Sequence, residues 1–349
     1  MNKVLMKGNE AIAESAIRSG CKHFFGYPIT PQNEVCAYFS KRMPKIGGIY
    51  LQAESEVAAI NMVYGAAGAG VRAMTSSSSP GVALKSEGIS YIAAADLPCV
   101  IVNIVRGGPG LGGIQPAQSD YFMATKGGGH GDFKMITLAP SSVQEAVDCT
   151  RAAFDLADKY RTPVMLLGDG ILGQMMEPVS FFDEISALPK KSWATTGTKC
   201  ERRKNVVNSL YIDPNDLENK VIERYKRYAQ IEQNEVQYEA DGIDGADIVI
   251  TAYGTTARIA KAAIKTARAE GLKVGLIRPI TLYPFPTQII SETAKKVKSI
   301  ICVEMSMGQM IDDVKIAVNG VCPVSFCGRT GGIIPTPSEI LDEIRRMIG

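Results

Sequence analysis

The stretch FFGYPITPQNE, residues 24–34, places the end of an apolar strand directly before the start of a helix. Pro28 and Pro31 each fix φ at about −65° and push the preceding residue out of the helical region. Ile29 and Thr30 are therefore expected in a rigid, extended loop. In an open α/β sheet such a loop lies at the carboxyl end of a strand, where ligands bind. The stretch alone predicts either a simple turn or a ligand-binding loop.

Short apolar or β-branched runs alternate with helical patterns on both sides of this loop. Strands are predicted at 22–26, 48–52, 72–75, 99–105, 135–138 and 163–167. Helices are predicted between them at 9–19, 54–69, 81–94 and 141–158. This near alternation predicts parallel strands joined by right-handed crossovers, and hence an α/β domain.

A polar segment, residues 190–240, separates this set from a second one and is predicted to contain one exposed helix at 214–232. The second set of elements is predicted at 247–252, 256–270, 273–277, 286–297, 299–303, 309–319, 323–327 and 337–348. The sequence thus predicts a first domain at 1–185, a connector at 186–244 and a smaller doubly wound domain at 245–349.

Composition and charge narrow the class of protein. The 349 residues are 46% hydrophobic and carry a formal net charge of +2, which is typical of a globular protein without a nucleic-acid-binding surface. The first residues lack the apolar run of a signal peptide. The most apolar window, residues 91–105, contains Asp96 and Pro98 and is too short to span a bilayer. A cytoplasmic enzyme is therefore expected.

Cysteine and histidine usage predicts no metal or iron–sulfur cluster on this chain. None of the eight cysteines forms a Cys-x-x-Cys pair, and there are two histidines. The sequence GDG at 168–170 resembles the start of the magnesium-binding motif of thiamine diphosphate enzymes, but no asparagine follows before Asn205. A tight turn is therefore predicted there.

Glu54 and Glu56 begin a predicted helix whose other residues are mostly small or apolar. A carboxylate can cap a helix at this end, where the dipole favours negative charge. The Ala- and Gly-rich remainder also allows close packing, which partly removes water from the carboxylate and suits proton exchange near neutral pH. Both interpretations remain open for the two residues taken alone.

Two glycine-rich loops carry further candidates. Arg106 ends the strand at 99–105 and opens the loop GGPGLGG at 107–113, where a guanidinium can pair bidentately with a carboxylate or can simply face solvent. The spacing Gly-x-Gly-x-x-Gly in this loop is that of a dinucleotide site, but Pro116 delays the helix that such a site needs. The loop ATKGGGHGD at 124–132 carries Lys126 and His130 and is predicted to lie at the edge of a site.

Several segments occur together in the order and spacing found in α subunits of 2-oxoacid:ferredoxin oxidoreductases. They are GYPITP, QAESEVAAINMVYGAAGAG, TSSSSPG, IVRGGPG and KGGGHGD. Over essentially its whole length the chain resembles this family, and it looks closest to the branched-chain, 2-oxoisovalerate type. The resemblance implies a thiamine-diphosphate-binding fold, with a parallel-sheet pyrimidine domain, a connector and a domain like the C-terminal domain of transketolase.

The resemblance also implies roles for individual residues. Glu56 is similar to the glutamate that hydrogen-bonds the aminopyrimidine ring, Thr30 to the threonine beside the reacting carbonyl, and Arg106 to the arginine that binds the substrate carboxylate. Glu54 matches no such role and is expected to be a cap. The remaining expected contacts are Tyr27, Pro28 and Ile29 to the cofactor and Gly107, Gly108, Lys126 and His130 to the substrate.

Partner chains are implied as well. A β subunit is expected to hold the diphosphate through Mg²⁺, and γ and ferredoxin-like δ subunits to carry [4Fe–4S] clusters that reduce ferredoxin. The expected reaction is oxidative decarboxylation of 3-methyl-2-oxobutanoate with coenzyme A, giving an acyl-CoA, CO2 and reduced ferredoxin. The alternatives are 2-oxoglutarate, pyruvate or an arylpyruvate as substrate, another kind of thiamine enzyme, or a non-catalytic scaffold subunit.

Overall fold

The computed structural model describes residues 3–185, 187–188 and 190–348. Within them the strands are β1 Val4–Lys7, β2 His23–Gly26, β3 Ile49–Gln52, β4 Ala73–Ser77, β5 Cys99–Val105, β6 Ile136–Leu138, β7 Pro163–Asp169, β8 Met176–Val179, β9 Tyr238–Asp241, β10 Ile248–Ala252, β11 Val274–Pro279, β12 Thr281–Tyr283, β13 Ser299–Glu304 and β14 Val324–Gly328. The predicted boundary at residue 186 and the chain ends at 1 and 349 lie outside the described residues.

Helices connect most of these strands, and a short 3₁₀ helix lies at Met43–Ile46. The α-helices are α1 Gly8–Arg18, α2 Asn33–Arg42, α3 Glu56–Gly68, α4 Ser79–Ala94, α5 Tyr121–Thr125, α6 Val143–Tyr160, α7 Gly170–Gln174, α8 Pro214–Asn234, α9 Gly254–Ala269, α10 Thr287–Ala294, α11 Met310–Val318 and α12 Pro337–Ile348. No helix in the described part of the chain is both long and apolar enough to cross a membrane.

Two main sheets organise the fold. The first has the strand order β12-β6-β7-β5-β4-β2-β3, and the second has the order β14-β13-β10-β11-β9. The interior strands are parallel, as predicted, whereas β12 and β9 pair antiparallel at the sheet edges. All seven residues of β5 are buried, because helices cover both faces of a central parallel strand. The predicted α/β architecture is therefore confirmed.

The strands and helices predicted from the sequence are all present and differ from the observed ones by a few residues at their ends. The helix predicted as exposed, α8, has one buried face. Tyr228 and Ile231 join a core cluster of the first sheet, and Arg224 donates to the carbonyl of Ala94 and the carboxylate of Asp96. The segment before residue 245 is thus packed against the first sheet along this helix.

Helix α3 packs closely on α4, as its small residues predict. The two helices meet where Gly88 of α4 faces Ile60 of α3, and a Cβ at Gly88 would lie 2.4 Å from Ile60 Cγ2. Because a glycine is needed for this approach, Gly88 allows α4 to lie directly against α3. That arrangement positions the candidate site.

A buried arginine joins the two sheets. Arg278 in β11 is 2% exposed and donates to both carboxylate oxygens of Glu145 in the first turn of α6, at 2.9 and 2.8 Å. Its Nε also donates to Glu239 Oε2 in β9 at 2.7 Å. Next to this contact, Ile280 O accepts a hydrogen bond from Ala139 N, and β12 pairs with β6. The second half of the chain therefore completes the edge of the first sheet.

Candidate active site

The loop after β2 is held rigidly at the carboxyl end of the sheet. Gln32 is fully buried, and its amide donates to Tyr27 O at 3.2 Å while its oxygen accepts from Ser76 Oγ at 2.5 Å. Asn9 Nδ2 donates to Pro31 O at 2.8 Å. Thr30, between these anchors, is half-buried and accepts a hydrogen bond from Asn33 Nδ2 at 3.3 Å. The loop is therefore fixed by the neighbouring elements as well as by its prolines.

Glu56 begins α3 with its side chain buried, at 6% exposure. The cap of this helix is Ser55, whose Oγ accepts a hydrogen bond from Ala58 N at 3.1 Å. Glu54, expected to be the cap, is exposed and precedes that position, so this expectation was wrong. Among the described residues, no group donates a hydrogen bond to the Glu56 carboxylate. Its carboxylate is a buried acceptor whose hydrogen-bonding positions are free for a ligand.

Gly81 in the first turn of α4 faces this carboxylate. A Cβ at Gly81 would lie 2.5 Å from Glu56 Oε1 and 2.1 Å from Ser77 Oγ, closer than side chains approach one another. The absence of a side chain therefore allows Glu56 to lie directly against the start of α4.

Replacing Gly81 by alanine is expected to displace Glu56 and to weaken binding of thiamine diphosphate, the cofactor that the sequence resemblance implies, about tenfold or more, because a 1 Å displacement in a preorganised site is costly. The measurement is calorimetric titration of the assembled complex. Gly65→Ala is the matched control, since a Cβ at Gly65 in α3 meets no atom within 4 Å. Equal affinities of the two variants would contradict the inferred closeness of Gly81 and Glu56.

Arg106 connects the loop after β2 to the glycine-rich loop. It is 8% exposed, and its Nη1 and Nη2 donate to Thr30 O at 3.0 Å and Leu111 O at 3.2 Å. Ser79 Oγ bonds both the backbone N–H and the carbonyl of Arg106. The buried Nε has no acceptor among the described residues, and a guanidinium has five donors. Donors are therefore left for an anionic ligand.

Contacts link Glu56, Arg106 and Thr30 through the start of α4, which contains Gly81 and Ser79. An open cleft of about 540 Å³ adjoins Thr30 and is lined in part by Pro31, Pro116 and Gly170. These three sequence-predicted candidates thus form one cluster.

Lys126 and His130 are not brought to this cluster. Lys126 pairs with Asp313, 2.5 Å between Nζ and Oδ1, and the ring of His130 lies edge-on to Tyr91 near the far end of α4. Gly107 and Gly108 do follow Arg106 directly, and Gly107 N donates to Gln115 O at 3.0 Å. The predicted substrate contacts of these four residues stay predictions.

The GDG segment forms the start of a short helix, where a tight turn was predicted. Asp169 is 3% exposed and its carboxylate accepts hydrogen bonds from Ile171 N and Leu172 N at 2.8 and 3.1 Å. Burial raises the pKa of Asp169 despite these bonds. The carboxylate is therefore engaged in capping α7.

Sequence reasoning missed Lys85, which is fully buried in α4. Its Nζ donates to Thr75 Oγ1 at 2.8 Å and to Ser76 O at 3.0 Å. The signal was its spacing: Lys85 lies three residues after Val82 and four before Ile89, which places a charge on the buried face of the helix.

Burial lowers the pKa of Lys85 from 10.5 to about 8, although the nearby charge of Glu56 acts to raise it. The folded chain releases this proton near pH 8, whereas the unfolded chain keeps it up to about pH 10.5. Raising the pH from 8 towards 10.5 should therefore increase the free energy of unfolding of the wild-type protein relative to that of Lys85→Met. The relative gain is about 3 kcal/mol, at roughly 1.4 kcal/mol per pH unit, with no change below pH 8. Denaturant unfolding of both chains across this pH range measures it, and parallel pH profiles would contradict it.

Exposed apolar side chains surround the cluster. They are Tyr27, Leu51, Val57, Leu111 and Ile114, with exposures between 36% and 84%. Apolar residues grouped in this way around a polar cluster are typical of a surface that contacts another protein.

Comparisons with known proteins agree with this architecture. The family profile "pyruvate flavodoxin/ferredoxin oxidoreductase, thiamine diphosphate-binding" matches residues 14–240, and that of pyruvate:ferredoxin oxidoreductase core domain II matches residues 246–340. A ketoisovalerate oxidoreductase subunit VorB from Methanothermobacter thermautotrophicus is 50% identical over 99% of this chain and 98% of its own. A 2-oxoglutarate synthase subunit KorA from Methanocaldococcus jannaschii is 35% identical, over 97% and 98%.

A solved structure of 2-oxoglutarate:ferredoxin oxidoreductase from Magnetococcus marinus covers all of this chain and aligns with 66% of its own, with a TM-score of 0.90 and 29% identity. That structure contains 2-oxoglutarate, coenzyme A and succinyl-CoA. A split-gene transketolase matches in fold alone, with a TM-score of 0.62 and 13% identity. The resemblance drawn from the sequence motifs is confirmed: the chain belongs to the 2-oxoacid:ferredoxin oxidoreductase family and has its thiamine-diphosphate-binding fold.

Proposed function

We propose that this chain supplies the pyrimidine-binding half of a thiamine diphosphate site in an enzyme that oxidatively decarboxylates 3-methyl-2-oxobutanoate. Coenzyme A takes the acyl group and ferredoxin takes the electrons. The half-identical relative named for ketoisovalerate supports this substrate, since relatives named for 2-oxoglutarate are 32% to 35% identical over a similar length.

The buried carboxylate of Glu56 is the observation that carries this proposal. It lies at the carboxyl edge of the sheet, 6% exposed and without a donor among the described residues, beside a glycine whose lack of a side chain leaves room for it. An aminopyrimidine ring offers the hydrogen-bonding partner that such a group lacks, so the residues present fit the cofactor. When bound, thiamine diphosphate supplies the carbon nucleophile and the electron sink for decarboxylation.

The other residues of the cluster bind and orient. Arg106 has unused guanidinium donors for the carboxylate of a 2-oxoacid, and its bonds to Thr30 O and Leu111 O hold the two loops around it. Thr30 Oγ1 lies on the loop fixed by Gln32 and Asn9, where it can donate to a substrate carbonyl. Glu56 accepts and returns a proton at the cofactor ring.

A partner chain is needed to complete the site. The named relatives are subunits, and the apolar residues around the cluster give a second chain a surface to cover. We place the magnesium-bound diphosphate half, the [4Fe–4S] clusters and the ferredoxin contact on β, γ and δ partner subunits.

The test is a substrate panel. The complex co-purified with this chain is assayed for coenzyme-A-dependent dye reduction with 3-methyl-2-oxobutanoate, 2-oxoglutarate, pyruvate and an arylpyruvate. We expect the highest kcat/KM for the branched-chain acid. Preference for another 2-oxoacid would refute the substrate assignment, and no turnover with any of them would refute the catalytic one in favour of a scaffold subunit.

A further inference from the structure

Lys85 is a fully buried cation beside the candidate site, and the catalytic scheme above does not use it. A buried ammonium group is costly unless acceptors and a negative charge lie near it. Two of its three N–H groups donate hydrogen bonds to Thr75 Oγ1 and Ser76 O, at the carboxyl end of β4. A third N–H has no acceptor among the described residues.

The face of α4 that carries Lys85 is the one that meets Glu56. Gly81 and Lys85 are four positions apart, so they lie on the same side of the helix, one turn from each other. A Cβ at Gly81 would lie 2.5 Å from Glu56 Oε1, so this carboxylate lies against that face of α4. Among the charged groups near Lys85, the carboxylate of Glu56 acts on it most strongly and favours its protonated form.

A chain of hydrogen bonds also joins Lys85 to the loop after β2. Ser76, whose carbonyl accepts from Lys85, donates through Oγ to Gln32 Oε1 at 2.5 Å. Gln32 Nε2 in turn donates to Tyr27 O at 3.2 Å. One ammonium group therefore connects the end of β4, the loop that carries Thr30, and the surroundings of Glu56.

On the basis of the proposed function, we propose that Lys85 is a positioning residue of the thiamine diphosphate half-site. Its buried positive charge and its two hydrogen bonds hold the Glu56 carboxylate and the end of β4 in the arrangement that accepts the aminopyrimidine. Lys85 acts through Glu56 and does not touch the ligand.

The test is a double-mutant cycle on cofactor affinity. Thiamine diphosphate is titrated calorimetrically into the assembled complex carrying wild-type chain, Lys85→Met, Glu56→Gln or both. We expect Lys85→Met to raise the Kd by roughly tenfold in the wild-type background and by less than about twofold in the Glu56→Gln background, because the two groups act as a pair. An unchanged Kd for Lys85→Met, or equal factors in both backgrounds, would overturn the proposal.

Arg72→Met is the matched control for a purely structural effect. Arg72 is also a buried cation, at the opposite end of the same strand, where it pairs with Asp155 and Asp158. We expect this variant to lower the Tm and to leave the Kd within about twofold, since it leaves unpaired charges far from the site. A Kd raised as much as that of Lys85→Met would assign the effect to lost stability and would overturn the proposal.

Turnover gives an independent readout. At saturating thiamine diphosphate, Lys85→Met is expected to lower kcat about tenfold and to leave the KM for the 2-oxoacid within about twofold, because Arg106 and Thr30 keep their contacts. A raised KM with unchanged kcat would contradict a role through Glu56. A wild-type complex without 2-oxoacid turnover would refute the proposed function, whereas the calorimetric cycle would still decide the role of Lys85.

Discussion

Glu56→Gln is expected to lower the kcat for 2-oxoacid-dependent dye reduction by about 10²- to 10⁴-fold, which is the usual contribution of a positioned acid–base group. Glutamine keeps the size and the hydrogen-bonding capacity of the side chain, but it cannot take up and return a proton. Glu56 is buried and has no protein donor in the described chain, so no neighbouring group is positioned to replace it. Steady-state assay of the assembled complex measures the loss.

Glu54→Gln is the control for this variant. It makes the same chemical change two residues earlier, at an exposed position outside the Ser55 cap, and is expected to leave kcat within about twofold. Comparable losses in the two variants would indicate a general effect on the start of α3. Near-normal turnover of Glu56→Gln would refute the assignment of Glu56.

Arg106→Lys is expected to lower kcat/KM for the 2-oxoacid by about two orders of magnitude, mostly through KM. A lysine keeps the charge, but it cannot bind a carboxylate through two parallel N–H groups, and truncating such a buried pair costs several kcal/mol. It also cannot reach both Thr30 O and Leu111 O, which the guanidinium now joins. The two loops should therefore loosen as well.

Arg258→Lys serves as the comparison, because Arg258 makes a partly exposed ion pair with Glu177 at the start of α9. A surface pair of this kind contributes little, so activity should stay within about twofold. If Arg106→Lys kept the wild-type KM, the carboxylate of the substrate would have to bind elsewhere.

Three of the site candidates stand out from their surroundings in the sequence. Thr30 lies between two prolines, Glu56 opens a helix of small residues, and Arg106 ends an apolar strand. Each position is a boundary between elements, and boundaries at the carboxyl ends of parallel strands converge in space. Local patterns therefore indicate that these side chains lie at one edge of the sheet, whereas their assignment to one active site came from the resemblance to the family.

Other features depend on packing that a local pattern does not encode. Lys126 and His130 lie on a glycine-rich loop that the sequence could not orient, and Asp313, from the second half of the chain, is the partner of Lys126. The cap at Ser55 was overlooked because Glu54 offers the same kind of acceptor one residue earlier. Lys85 was overlooked because lysine in a helix is usually solvated, and only its three- and four-residue spacing from apolar neighbours indicates burial.

Because β12 pairs with β6, the edge of the first sheet can be completed only late in synthesis on the ribosome. Until residue 283 has emerged, β6 presents a row of unpaired backbone groups, and Glu145 at the start of α6 lacks Arg278. Unpaired strand edges invite pairing with other chains. The nascent first sheet is thus expected to stay open to chaperones or to misassembly until nearly the whole polypeptide is available, and a fragment that stops before β11 should aggregate instead of folding as an independent unit.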